Sequence, residues 1–212
     1  DKIRQVNTCE ITNRKEYMDA ERDLIMYLQK YKDADDDKIA KAMRGEVMVR
    51  INILRQISAR GKVRDVIEFV KDFRENGKKI ILFCSLHEVV DQLKRYFPTA
   101  VSVTGRDSQD EKQRAVDAFQ NNPKADIIIC SIKAAGVGLT LTASSNVAFV
   151  EFPWTYADCC QCEDRAHRIG QKDSVTCYYF LGRRTIDEKV YRIIQEKKNI
   201  ANAVTGSTED IE

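Results

Sequence analysis

Apolar positions along the chain change their rhythm once, near residue 79. Before that point they recur at helical spacing in three sets. The first is Tyr17, Leu24, Tyr27, Leu28 and Tyr31, and Asn13 with Glu16 reads as a capping box that opens it. The second is Met43, Val47, Ile51, Leu54 and Ile57; the third is Val63, Val66, Ile67, Val70 and Phe73. Gly61 is expected to separate these two, and Asn76-Gly77 to stop the third. Residues 3–11 alternate weakly and predict a strand. From residue 79 onward, short β-rich apolar runs take over at 79–84, 100–103, 126–131, 146–151 and 175–180. Helices are predicted between and after them, near 86–97, 108–121, 156–168 and 186–203. Ser85 with Glu88, Ser108 with Glu111 and Thr185 with Glu188 read as capping boxes.

Unbroken apolar strands joined by helices predict an α/β fold, with a parallel sheet covered on both faces. Such sheets bind ligands at the carboxyl ends of their strands, so function is expected in the loops after residues 84, 103, 131 and 151. The chain's 212 residues suffice for one well-cored domain. With 43% hydrophobic and 32% charged residues, the balance is globular. A net charge of +2 excludes a wholly basic nucleic-acid coat but leaves room for a local basic groove. No run approaches a membrane span, so no membrane partner is expected. Seven cysteines without zinc-type spacing read as reduced, packed thiols rather than a metal site. The chain opens on Asp-Lys without a signal-peptide pattern, and is expected to be an intracellular piece of a longer protein.

Candidate chemistry concentrates in QCEDRAHRIGQ, residues 161–171, read as the end of a helix. On a helical wheel Cys159, Cys162, Ala166 and Ile169 share an apolar face, while Gln161, Arg165 and Arg168 form a polar stripe. Two guanidiniums one turn apart suit a polyphosphate, because each offers a planar fork of donors and stays charged. On spacing alone a solvated helix face with a few ion pairs is the better reading. A second segment, DIIICSIKAAGVGLTLT at 126–142, is a buried strand running into a turn with Gly136 and Gly138. Ser131 and Lys133 at the strand's end can donate to phosphate oxygens.

Taken in order, these segments resemble the C-terminal helicase lobe of superfamily 2, and specifically the Swi/Snf-type DNA-stimulated ATPases, near their annealing-helicase branch. QCEDRAHRIGQ matches that family's motif VI, QxxDRxHRIGQ, almost throughout. SIKAAGVGLTLT resembles motif V, IILFCSLHEVVDQL resembles motif IV, and Leu54-Arg55-Gln56-Ile57 resembles part of the connector out of lobe one. Two departures stand out: Thr140 where the family often has Asn, and Thr155-Tyr156 after Trp154 where it often has Asn-Pro.

The resemblance implies a RecA-like P-loop NTPase fold without its P-loop, the second lobe of a two-lobed motor. Residues 1–60 would be the strand and helical connector, 61–205 the lobe, and 206–212 a polar tail. ATP and Mg2+ would be bound mainly by the N-terminal RecA-like lobe of the same polypeptide. Arg165 and Arg168 would be arginine fingers. Gln161, Asp164, Gly136 and Gly138 would lie at the nucleotide, with Asp164 orienting its arginine neighbours. Ser85, Thr104, Gly105, Ser131, Lys133 and Trp154 would face the backbone of duplex DNA. No GxxxxGK[ST] or acidic magnesium motif occurs, so the fragment alone is expected to be inactive. An RNA-helicase lobe and a non-enzymatic module of the same fold are the rival expectations. The resemblance implies a nuclear location in a eukaryote, or a nucleoid-associated cytoplasmic one in a bacterium.

Overall fold

The computed structural model describes residues 1–32, 37–135 and 138–205. Gly136, most of the acidic run 32–38 and the tail 206–212 lie outside the described residues. Six parallel strands form one sheet: β1 (Lys2–Cys9), β2 (Ile80–Phe83), β3 (Val101–Val103), β4 (Ile127–Cys130), β5 (Asn146–Phe149) and β6 (Val175–Gly182). Their spatial order is β1-β6-β5-β2-β4-β3. The four strands at 80–83, 127–130, 146–149 and 175–182 bury nearly every side chain, as unbroken apolar runs between two helical layers must. The predicted weak strand is real, and it forms an edge paired in parallel with β6.

Helices cover both faces: α1 (Arg14–Lys32), α2 (Asp37–Glu75), α3 (His87–Tyr96), α4 (Gln109–Asn121), α5 (Ile132–Ala135), α6 (Tyr156–Glu163), α7 (Ile186–Gln195) and α8 (Ile200–Thr205). Strand alternation divides the core. Phe83, Phe149 and Tyr179 face one side with Val47, Ile51 and Leu54 from the first half of α2. Leu82, Ala148 and Phe180 face the other with Val63, Val66 and Val70 from its second half. On the first face Phe83, Phe149 and Tyr179 stack at ring distances of 5.1 and 4.4 Å across three neighbouring strands.

Gly61 does not break a helix. α2 runs through it for 39 residues, which corrects the expectation of two shorter helices. The glycine is there for close approach, since a Cβ would collide with Asn13 Oδ1 and stand 2.7 Å from Ile11 Cβ. Gly61→Ala is therefore expected to destabilise the fold by about 1–3 kcal/mol from overpacking, despite a propensity gain of up to about 1 kcal/mol. Urea unfolding of the purified chain checks this; a stabilised variant contradicts it.

Three of the four expected capping boxes give way to other partners. Asn13 donates to Ile57 O at 3.0 Å and Glu16 Oε2 at 3.3 Å, while its buried Oδ1 accepts nothing among the described residues. Ser85 does not cap α3, whose N-cap is Leu86. Glu151 Oε2, beyond β5, instead accepts from the Ser85 and Leu86 amides at 2.6 and 2.8 Å. The Ser108–Glu111 box forms in full. Thr185 Oγ1 accepts from Asp187 N, while Glu188 reaches Arg184 N instead of the cap residue itself.

Candidate active site

The α6 helix begins at a Thr155 cap and stops at Glu163, so the arginines sit on the irregular turn that follows. That shorter helix explains one failed expectation. Ile169 was placed on the packed face by extending the helical wheel, yet it is fully exposed beyond the helix end. Cys159, Cys162 and Ala166 do pack inward. Burial pushes the Cys159 and Cys130 thiols up to about 12, which fits inert packing groups.

One backbone bond and one side-chain bond sew the arginine turn to the glycine loop after β4. Leu141 N donates to Arg165 O at 2.9 Å, and Arg168 Nη1 donates to Leu139 O at 2.8 Å. Gln171 Nε2 donates to Ser144 O at 2.8 Å and Ala166 O at 3.1 Å, closing the far end of the turn. Gly138 has φ +83°, a left-handed conformation that favours glycine, and its missing Cβ would lie 3.9 Å from Arg165 Nη1.

Arg165 is 8% exposed and spends its Nε on Gln161 O at 3.2 Å. Among the described residues, neither Arg165 nor Arg168 makes an ion pair with a carboxylate. Burial, and then the like charge of Arg168, hold the Arg165 guanidinium below its ordinary value. Two like charges side by side, only partly offset by Asp164, form an arrangement that a bound polyanion would relieve. The side chains of Gln161, Asp164, Arg165 and Arg168 line one open hollow with Ala157, Asp158, Cys160 and His167. Asp164, expected to orient the arginines, instead accepts from Lys2 Nζ at 3.2 Å and stands 3.8 Å from His167 Nδ1.

A second hollow gathers Ser85, Lys133 and Trp154 with Arg55, Gln56 and Glu151. The Arg55 guanidinium lies 4.5 Å from the Phe152 ring centre and 4.3 Å from that of Trp154, and donates to Phe152 O. It thereby fixes the indole at the hollow's wall. Ser131 is buried, with its Oγ accepting from Ala134 N at 3.2 Å. Thr104 is buried too; its hydroxyl donates to Asp107 Oδ2 at 3.2 Å. Gly105 is exposed at the loop tip. Ser85, Thr104 and Ser131 thus all lie at carboxyl ends of strands, but Thr104 and Ser131 stand apart from the Trp154 hollow.

Two clusters escaped the sequence reading. Lys62 in α2 is buried, donates to Val150 O at 2.6 Å and Phe180 O at 2.8 Å, and lies 3.0 Å from Asp187 Oδ2. Glu163 is fully buried and accepts from Arg4, Lys2 and Tyr179. The first left a faint signal: Arg55, Ser58 and Lys62 interrupt the apolar stripe of α2 at helical spacing. The second left none locally. Among the described residues no group of three His, Cys, Asp or Glu side chains gathers as a metal site, and no helix is long and apolar enough to cross a membrane.

The helicase conserved C-terminal domain matches residues 61–170. The chain is 33% identical over 145 residues to the Xenopus tropicalis SWI/SNF-related matrix-associated actin-dependent regulator of chromatin subfamily A-like protein 1, covering 66% of this chain and 15% of that protein. The chain thus spans only a small part of such relatives. Its fold matches the Sulfolobus solfataricus SWI2/SNF2 ATPase C-terminal domain with a TM-score of 0.75 at 19% identity, covering 100% of this chain and 96% of that one. It also matches the same organism's SWI2/SNF2 ATPase core in complex with dsDNA, with a TM-score of 0.77 at 21% identity, covering 99% of this chain and 49% of that one. The chain belongs to the helicase conserved C-terminal domain family, among relatives of Swi/Snf type.

Proposed function

We propose that this chain is the second motor lobe of an ATP-dependent enzyme that tracks along double-stranded DNA. The observation that carries the proposal is the pair Arg165 and Arg168, which make no ion pair with a carboxylate among the described residues and are fixed to the glycine loop beside an open hollow. Phosphoryl transfer needs positive charge placed on the γ-phosphate more than it needs a reacting side chain. In this reading ATP is the substrate, held with Mg2+ by a P-loop lobe. Gln161, Asp164 and the loop around Gly136 and Gly138 border the phosphates, while Arg165 and Arg168 supply charge when the lobes close. Residues 1–60 act as the connector and 61–205 as the lobe.

Duplex DNA is the partner that the relatives favour. One similar structure is a SWI2/SNF2 ATPase core in complex with dsDNA, and the relative in Xenopus tropicalis is a SWI/SNF-related regulator of chromatin. Ser85, Lys133 and Trp154 share a hollow suited to a phosphate backbone, with Thr104, Gly105 and Ser131 on neighbouring loops. Such contacts carry no sequence code and weaken with salt. A eukaryotic host would place the enzyme in the nucleus.

The test measures ATP hydrolysis by the full-length protein with no nucleic acid, with duplex DNA and with RNA. Strong stimulation by duplex DNA of any sequence is expected. Stimulation by RNA alone would move the assignment to an RNA-tracking lobe, and no hydrolysis under any condition would favour a non-enzymatic module.

A further inference from the structure

The Glu163 carboxylate is the meeting point of four hydrogen bonds. Oε2 accepts from Arg4 Nε at 2.8 Å and Tyr179 Oη at 2.8 Å; Oε1 accepts from Arg4 Nη2 at 2.8 Å and Lys2 Nζ at 3.1 Å. Lys2 reaches on to Asp164 Oδ1 at 3.2 Å. Burial alone would raise the Glu163 carboxyl, but the bonds from Arg4 and Tyr179 and the nearby positive charges outweigh it and hold it below the usual range.

Position makes this cluster more than an ion pair. Glu163 is the last residue of α6, two before Arg165, and its carbonyl accepts from Ala166 N at 3.2 Å and His167 N at 3.1 Å. The backbone of the arginine turn therefore hangs from this residue. On its other side, the carboxylate is gripped by two cations of β1, an edge strand whose neighbour in the sheet is β6. A buried ion pair is seldom the most stable filling for such a space, since apolar residues often do as well. What the charged cluster adds is direction: a bidentate fork fixes the carboxylate's orientation as an apolar contact does not.

We infer that Arg4, with Lys2 and through Glu163, is a positioning residue for the arginine turn, so that the placement of Arg165 and Arg168 depends on strand β1 being seated against β6. This rests on the arginine-finger reading above.

The experiment uses the full-length protein with saturating duplex DNA and compares wild type, Arg4→Met, Arg4→Lys, Arg165→Ala and the Arg4→Met/Arg165→Ala double variant. Arg4→Met is expected to lower kcat by about 10- to 100-fold, the cost of a misplaced catalytic group, with KM for ATP changed by less than about twofold. Arg4→Lys, which keeps the charge but loses the fork, should recover part of the loss. In the Arg165→Ala background Arg4→Met should cost far less than in wild type, no more than the share that Arg168 carries. If Arg4→Met does not fold, Arg4→Lys carries the same comparison. Wild-type kcat in the Arg4 variants beside an inactive Arg165→Ala overturns this inference alone, as does an equal loss in both backgrounds. An Arg165→Ala enzyme as active as wild type instead overturns the finger reading beneath it.

Discussion

Arg165→Ala in the full-length protein is expected to reduce duplex-stimulated ATP hydrolysis by about three to five orders of magnitude, the range over which arginine fingers act. ATP binding, measured with a non-hydrolysable analogue, should change little, because the guanidinium is needed where charge develops late in the reaction. The size of the effect follows from the geometry. Arg165 is almost buried, makes no ion pair with a carboxylate among the described residues, and shares its hollow with a second cation. Its Nε is already committed to Gln161 O, and its Nη1 lies beside Gly138 of the glycine loop. Arg168 is more exposed and partly spent on Leu139 O, so its removal is expected to cost less. Steady-state kinetics beside a binding titration read the two quantities separately. Loss of binding with unchanged kcat would reassign Arg165 to holding the ground state.

Asp187→Ala carries the largest expected effect on stability. Asp187 Oδ2 accepts from Ser58 Oγ at 2.6 Å and Gly182 N at 3.0 Å and faces Lys62 Nζ at 3.0 Å, with both charged side chains almost wholly buried. Removing the carboxylate leaves an ammonium inside the core with only the carbonyls of Val150 and Phe180 around it. Breaking one side of such a pair costs about 3–5 kcal/mol. Denaturant unfolding of the purified chain should show that loss, and Lys62→Met in the same background should return much of it by removing the stranded charge. A loss under about 1 kcal/mol for Asp187→Ala would mean that the pair is better hydrated than its burial implies.

The sheet was the most legible part of the molecule. Strands such as Ile80–Phe83 and Ile127–Cys130 are apolar on both faces, and no helix of that length explains an unbroken run so short between turn residues. Motif VI was legible as a unit because its residues are contiguous. Its internal geometry was less so. A helical wheel carried past Glu163 put Ile169 inside, whereas the chain leaves the helix there. Gly61 was misread because a glycine in a helical pattern has two physical uses, stopping the helix and admitting a neighbour, and the neighbour lies 48 residues earlier at Asn13. The Ser85 cap failed because Glu151, from a different strand, takes both amides. The Arg4–Glu163 and Lys62–Asp187 pairs join residues more than 100 positions apart, and no local pattern encodes such a contact.

The decisive quantity is the distance from the Arg165 guanidinium to the γ-phosphate in a structure of the full-length protein with duplex DNA and a non-hydrolysable ATP analogue. Hydrogen-bond reach, about 2.7–3.2 Å from a guanidinium nitrogen to a γ-phosphate oxygen, is the predicted result. A nucleotide bound between closed lobes, with Arg165 and Arg168 both turned away from it, would contradict the account.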